Sequence, residues 1–279
     1  MNYKEILSEN FLNLDRIAQQ NQNIYKNAKP FPSIVLDDFF NKTFLTKVNE
    51  EFPDLSTSED TKKYKNINEV KFTNNKYETF KDNTRFCFDF LNSKLFLNFL
   101  QKITSTEEIL ISDPYLKGGG LHQIKKGGLL KIHTDFNKHG LFDLDRRINV
   151  LVYLNKNWQE NYGGHLELWD LDMKNAVKKI LPIFNRMVIF STTDYSNHGH
   201  PEQLKCPDNV SRKSFALYYY SSGRPKSEIH ISNQKLGTMF KNRKGLKNDV
   251  FINHSRFKHF LMKFRFYKFL RDIRDKYFK

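Results

Sequence analysis

The apolar residues of this chain change their period near residue 120. Before it, Ile6, Leu7, Phe11, Leu14, Ile17 and Ile24 recur at helical spacing among polar residues, which predicts a helix over 3–26 ended by Pro30 and Pro32. SIVLDDFF, 33–40, has the pattern of a short strand followed by a turn. Asn41 can cap a helix through Phe44, Leu45 and Val48 that stops near Pro53. Residues 54–82 are rich in Ser, Thr, Asn, Lys and Glu and predict a surface loop, either a solvated insertion or a lid. Phe86 to Phe90 and Ser93 to Ile103 predict another apolar helix, broken by Asp113-Pro114.

From residue 121 the alternation is that of strands. LHQIKK, then Gly127-Gly128, then LLKIHTDF predict a hairpin-like pair. Further strands are predicted at 146–155, 165–170, within 178–192 on either side of Asn185, and at 211–222. Short strands separated by turns and preceded by helices predict a mainly β fold with flanking helices: a double-sheet jelly roll with the N-terminal helices packed on one face. Residues 1–225 form this domain, with its core at 119–224, and 226–279 form a basic, aromatic-rich extension. Within the extension, 250–279 predict one helix. Phe251, His259, Met262, Phe266, Phe269, Leu270, Ile273 and Tyr277 make a stripe on it free of Lys and Arg. It would dock on the domain or on a second subunit, or meet an anionic membrane or nucleic acid.

Composition narrows the class. Apolar residues make up 39% and aromatics 15%, with 26 Phe, which is the balance of a globular chain. The net charge of +15 is concentrated: residues 241–279 hold thirteen Lys or Arg against three Asp, leaving 1–240 at 33 − 28 = +5. The charge therefore says little about the ligand of the main domain. Two distant cysteines, Cys87 and Cys206, exclude a disulfide framework and fit a reducing compartment; Cys206 is taken as structural. MNYKEILSEN has no apolar run, and no stretch has the length of a membrane span, so a cytoplasmic location is expected.

The chemistry centres on LLKIHTDFNKHG, 129–140. In a strand His133 and Asp135 point to one face and Thr134 to the other. An imidazole and a carboxylate so placed need one more histidine to make the 2-His-1-carboxylate set that holds non-haem Fe(II). The segment Asp194–Pro201 offers two. His198 is favoured, since it follows the strand end and precedes a glycine, whereas His200 abuts Pro201, which restricts its backbone. Arg212 and Ser214 then share a face of the last strand. A guanidinium fork and a hydroxyl there suit the far carboxylate of a dicarboxylic 2-oxo acid. Arg146 and Arg147 are candidates for substrate contacts at the mouth of the site.

Over residues 119–224 the chain resembles the iron- and 2-oxoglutarate-dependent dioxygenases of the prolyl 4-hydroxylase-like branch. The resemblance rests on GLHQIKKGGLLKIHTDF, VYLNKNWQENYGGHLELWD, FNRMVIFSTTDYSNHGHPEQL and RKSFALYYY. It implies a double-stranded β-helix with Fe(II) at His133, Asp135 and His198. It also implies 2-oxoglutarate at Arg212 with Ser214, a Tyr153 that reaches this cosubstrate, and ascorbate as a candidate further cofactor. The family often has a tyrosine about ten residues before the first ligand; His122 and Gln123 stand there in this chain, and Gln123 is the candidate for that contact. The implied activity is oxidative decarboxylation of 2-oxoglutarate coupled to hydroxylation of a substrate: a prolyl residue, or alternatively a small metabolite or sugar. A jelly-roll binding module without turnover, tethered by its basic tail, is the reading from another class.

Overall fold

A computed structural model of the chain describes residues 3–225, 228 and 237–246. The helix predicted over 3–26 starts later, as α1 (Leu14–Asn27), because the Asn13 side chain accepts from the Arg16 N–H at 3.0 Å and caps it there. Ile6, Leu7 and Phe11 enter the core through 3₁₀ turns at Tyr3–Glu5 and Glu9–Phe11 instead. Strand β1 (Ser33–Asp37) and helix α2 (Lys42–Glu51) follow as predicted, and Asn41 accepts from the N–H groups of Thr43 and Phe44. The helix predicted before Asp113 is two, α3 (Asp82–Asn92) and α4 (Lys94–Thr104). Ser93, with extended backbone, ends the first, and its hydroxyl accepts from Phe96 N–H to start the second.

The remaining strands are β2 (Lys62–Lys65), β3 (Glu69–Asn74), β4 (Ile111–Ser112), β5 (Gly120–Lys125), β6 (Leu129–Thr134), β7 (Asp145–Tyr153), β8 (Leu166–Trp169), β9 (Ala176–Ile180), β10 (Arg186–Ser191), β11 (His198–His200), β12 (Ser211–Ser221) and β13 (Met239–Phe240). They form one antiparallel sheet in the order β1-β10-β7-β12-β5-β3-β6-β11-β8-β9, with β13 beside β6, β2 beside β3 and β4 beside β12. The sheet curls as in a jelly roll, and the period-two alternation of each strand separates two environments. Ile148, Val150 and Val152 of β7 and Phe215, Leu217 and Tyr219 of β12 face the helices. There they meet a cluster of phenylalanines in which the Phe39 ring lies 5.0 Å from Phe40 and 6.0 Å from both Phe96 and Phe99. The alternate residues, among them Leu151, Arg212, Ser214, Ala216 and Tyr218, line a cavity of about 190 Å³ on the inner face.

Two expectations are corrected by the sheet. Residues 54–82 are not only a surface loop: they contain the β2–β3 hairpin, and β3 is built into the sheet. Nor do β5 and β6 pair as a hairpin. They run in one direction end to end along β3, with Leu121, His122 and Gln123 opposite Asn74, Thr73 and Phe72, and Leu129 and Leu130 opposite Val70 and Glu69. Leu204 holds the turn between them, accepting from Gly127 N–H and donating to the Gly128 carbonyl. The polar composition of 62–74 hides this strand, because its neighbours supply ladder hydrogen bonds rather than a fully apolar environment. The helix predicted over 250–279 lies outside the described residues. Residues 239–240, placed in the extension by the sequence, add β13 to the sheet beside β6. Among the described residues no helix is long and apolar enough to cross a membrane.

The phenylalanine cluster carries the contact between helices and sheet. Phe39 is fully buried, so Phe39→Ala removes a large side chain where the surroundings cannot collapse fully. It should destabilise the protein by about 3–5 kcal/mol in denaturant unfolding. Ile109→Ala, at a position 77% exposed, should change stability by no more than about 0.5 kcal/mol.

Candidate active site

Strands β6 and β11 lie side by side with His133 opposite His198, which brings the two imidazole centroids to 4.5 Å. Asp135, just past the end of β6, completes the group. Its Oδ1 stands 3.5 Å from His133 Nε2 and its Oδ2 3.5 Å from His198 Nε2. The three ligand atoms lie within 4.8 Å of one another, and all three residues are buried. Each histidine fixes its ring through the other nitrogen: His133 Nδ1 is 2.8 Å from the Lys131 carbonyl and His198 Nδ1 2.8 Å from the Ser196 carbonyl. An Nδ1–H donating to a carbonyl leaves a lone pair on Nε2, the atom that faces the centre. Two neutral imidazoles and one carboxylate facing one point are the donor set of a non-haem Fe(II) centre. Gly199 is required between the two histidines of β11, since a Cβ there would come within 2.8 Å of the Leu130 and Lys131 carbonyl oxygens.

The carboxylate is held as firmly as the rings. Asp135 Oδ2 accepts from Arg146 Nη2 at 2.9 Å and from Asn149 Nδ2 at 2.7 Å, and Asn149 Oδ1 accepts from Arg146 and Thr192. Burial alone would raise this carboxyl. The Arg146 guanidinium, with His198 and His133, outweighs burial and holds Asp135 well below the usual carboxylate range. Burial pushes His198 down to about 4, opposed by Asp135. Arg146 is 1% exposed and packs over the Tyr218 and Phe136 rings, so it orders Asp135 and does not stand at the mouth. Arg147 is also not at the cavity. It donates to Glu108 at 2.6 Å, to Ser221 at 3.0 Å and to Glu228 at 3.2 Å. Both guanidiniums are buried, and a buried cation needs a fixed partner.

Arg212 and Ser214 reach the same cavity from β12. Arg212 is buried; its Nε donates to the Gly164 carbonyl at 2.8 Å and its Nη2 to Tyr153 Oη at 3.1 Å, with the guanidinium 4.9 Å from the Tyr153 ring. Gly164 has φ +71°, and a Cβ on it would lie 2.6 Å from Leu204 Cδ2 and 3.1 Å from Arg212 Cδ, so the glycine makes room for Arg212. Tyr153 is fully buried behind Arg212 and is not among the cavity-lining residues; it aims the guanidinium. Gln123 faces the other side of β5. Its carbonyl accepts from Leu55 N–H at 2.7 Å and its amide donates to Ser211 Oγ at 2.9 Å, so it is corrected to a structural residue. The alternation of β5 puts His122 and Ile124 on the cavity instead. Burial, and then the Lys71 charge, push His122 down to about 3.

Some cavity residues carry no signal in the sequence. Tyr64, Glu69 and Lys71 of the β2–β3 hairpin line the cavity, with Lys71 paired to Glu69 at 2.9 Å and lying over the Tyr64 ring at 4.9 Å. Asn149 had one available signal, an amide inside the apolar run INVLVY, because a polar group buried in a central strand must have partners. Phe240 of β13 packs its ring 5.6 Å from that of His133. Cys206 is buried beside Trp158, Leu204 and Ile124, as a structural cysteine.

Comparison with known proteins bears on this site. Residues 119–220 match the family model of the 2OG-Fe(II) oxygenase superfamily. Over 79 residues the chain is 34% identical to prolyl 3-hydroxylase OGFOD1 of Mus musculus, a match covering 27% of this chain and 14% of the mouse protein. The chain therefore aligns with about one seventh of that relative's length. A prolyl hydroxylase from Trichoplax adhaerens, solved with a hypoxia inducible factor oxygen degradation domain peptide, superposes with a TM-score of 0.56 at 17% identity, covering 81% of this chain and 96% of that one. A prolyl-4-hydroxylase from Pseudomonas putida gives 0.51 at 13% identity, covering 74% and 100%. At such identities these structures establish the shared fold.

The geometry separates the two histidines of β11. His198→Ala should weaken Mn(II) or Fe(II) binding by more than about a hundredfold in anaerobic calorimetry, since loss of even an outer-shell partner costs 10–100-fold. His200→Ala should bind metal as the parent does; the reverse outcome would make His200 the ligand. The low-lying His198 also makes the metal-free protein sensitive to acid. Its folded value of about 4 lies below the unfolded one of about 6.5, so the unfolded chain takes up the proton first. Stability is full above pH about 6.5 and should fall by up to about 3 kcal/mol as the pH drops to about 4. Unfolding in chelator across this range should show the slope, and His198→Gln should reduce it.

Proposed function

We propose that this chain, which belongs to the 2OG-Fe(II) oxygenase superfamily through residues 119–220, hydroxylates a prolyl residue of a protein with Fe(II) and 2-oxoglutarate. The observation that carries the reading is one cavity lined by the clustered His133, Asp135 and His198 and also by Arg212. The prolyl substrate is supported by the 34% identity over 79 residues to a prolyl 3-hydroxylase.

Fe(II) supplies the oxygen chemistry in such a site: 2-oxoglutarate, oxygen and a substrate C–H become succinate, carbon dioxide and an alcohol. The chain's own residues do the positioning. His133 and His198 present Nε2 with ring orientations already fixed, and Asp135 is kept ionised and oriented by Arg146 and Asn149. A divalent cation therefore meets ligands that need little reorganisation. Arg212, aimed by Tyr153 and the Gly164 carbonyl, offers a distal carboxylate a charge-assisted fork, with the Ser214 hydroxyl on the same face. Leu151, Leu166 and Phe190 make the inner wall apolar, which excludes water from the reacting atoms.

Succinate should form from 2-oxoglutarate only with Fe(II) present and should rise with a proline-containing peptide. The peptide should gain one oxygen atom on a prolyl residue by mass spectrometry. Free amino acids and sugars are the contrasting arms. Succinate driven by a sugar alone would move the substrate to small metabolites, and none above the metal-free control would leave a non-catalytic binding module. Arg212→Ala should weaken 2-oxoglutarate binding by about 2–5 kcal/mol, and Arg212→Lys should recover part of it, because an ammonium keeps the charge but not the fork. An unchanged affinity in Arg212→Ala would remove this residue from the cosubstrate site.

A further inference from the structure

The cavity holds a buried polar side chain that the proposed reaction leaves without a role. His200 lies two residues beyond His198 on β11, so both rings face inward. It is 3% exposed, and among the described residues neither of its ring nitrogens meets a hydrogen-bond partner. A buried polar group left unpaired costs about 1–3 kcal/mol. Two such atoms on one ring that lines the cavity point to a ligand that pairs with them.

The surroundings say which ligand. Arg212, Ser214 and Lys71 line the same cavity as His200. His200 therefore shares one cavity with the metal-facing histidines and with the guanidinium that would meet a distal carboxylate. An imidazole carries at least one ring N–H to donate in either protonation state. His122, the other cavity histidine with an unpaired ring nitrogen, is placed differently. The Gly118 and Gly119 backbone hydrogen-bonds its ring, and the nitrogen left over is Nε2. With the ring N–H given to a backbone carbonyl, Nε2 is an acceptor and cannot pair with a carboxylate.

Resting on the proposed function, we infer that His200 donates its ring N–H to the distal carboxylate held by Arg212, and so makes the site select dicarboxylic over monocarboxylic 2-oxo acids. A donor supplied by a buried ring discriminates strongly, because a ligand without the carboxylate leaves that donor unpaired.

The test is calorimetric titration of the Mn(II)-loaded full chain, without oxygen, with 2-oxoglutarate and with 2-oxobutyrate, which lacks the distal carboxylate. His200→Leu should weaken 2-oxoglutarate at least about tenfold, or about 1.4 kcal/mol. It should leave Mn(II) and 2-oxobutyrate affinities within about twofold. His200→Asn, which restores an N–H donor, should recover much of the loss. An unchanged 2-oxoglutarate affinity in His200→Leu, or an equal loss for both 2-oxo acids, overturns the inference while leaving the proposed function standing. A parent protein that binds Mn(II) but not 2-oxoglutarate overturns the proposed function, and the inference with it.

Discussion

The ion pair between Asp135 and Arg146 is the constraint around which the inner face is arranged. A carboxylate and a guanidinium taken out of water lose hydration worth several kcal/mol each, and the pair persists only if both are fully hydrogen-bonded and well placed. Asn149 supplies that completion from the same strand as Arg146, donating to Asp135 and accepting from Arg146. The result is a carboxylate whose charge and direction are set before any cation arrives. Removing Arg146 would leave Asp135 buried and unpaired, so folding and metal binding depend on the same contact.

The rest of the site follows from strand alternation. β7 and β12 are the longest strands, and each serves two environments at once. Their odd and even positions give one face to the phenylalanine cluster under the helices and the other to the cavity. The aromatic packing holds β12 in register, and that register delivers Arg212 and Ser214 to the inner face. A slip of one residue would send Lys213 inward and the arginine out. The many phenylalanines therefore act on the site at a distance, by fixing which side of the sheet each polar group occupies.

The β2–β3 hairpin gives this cavity its individual character. It lies outside the segment matched by the family model, yet β3 bridges β5 and β6 and brings Glu69 and Lys71 to the wall. Arg146, Arg212 and Lys71 make the surroundings of the cavity basic against Asp135 and Glu69, which suits an anionic ligand such as the proposed dicarboxylate.

The sequence by itself determined the spacing-dependent parts. His133-X-Asp135 on a strand, a histidine after β10 and Arg212-X-Ser214 are local patterns. In a strand, residues two apart share a face whatever the fold around them. The apolar period likewise marked α2, β7 and β12, because burial of one face is written into each segment. Tertiary structure decided everything that depends on contacts distant in sequence. It made Arg146 a partner of Asp135 instead of a residue at the mouth, turned Gln123 outward and His122 inward, and set Tyr153 behind Arg212. It also made the polar stretch 62–74 a hairpin whose second strand, β3, is built into the sheet. A buried charge or amide is placed by the partner that satisfies it, and a polar strand by the neighbours that complete its ladder. Neither is present in the local sequence.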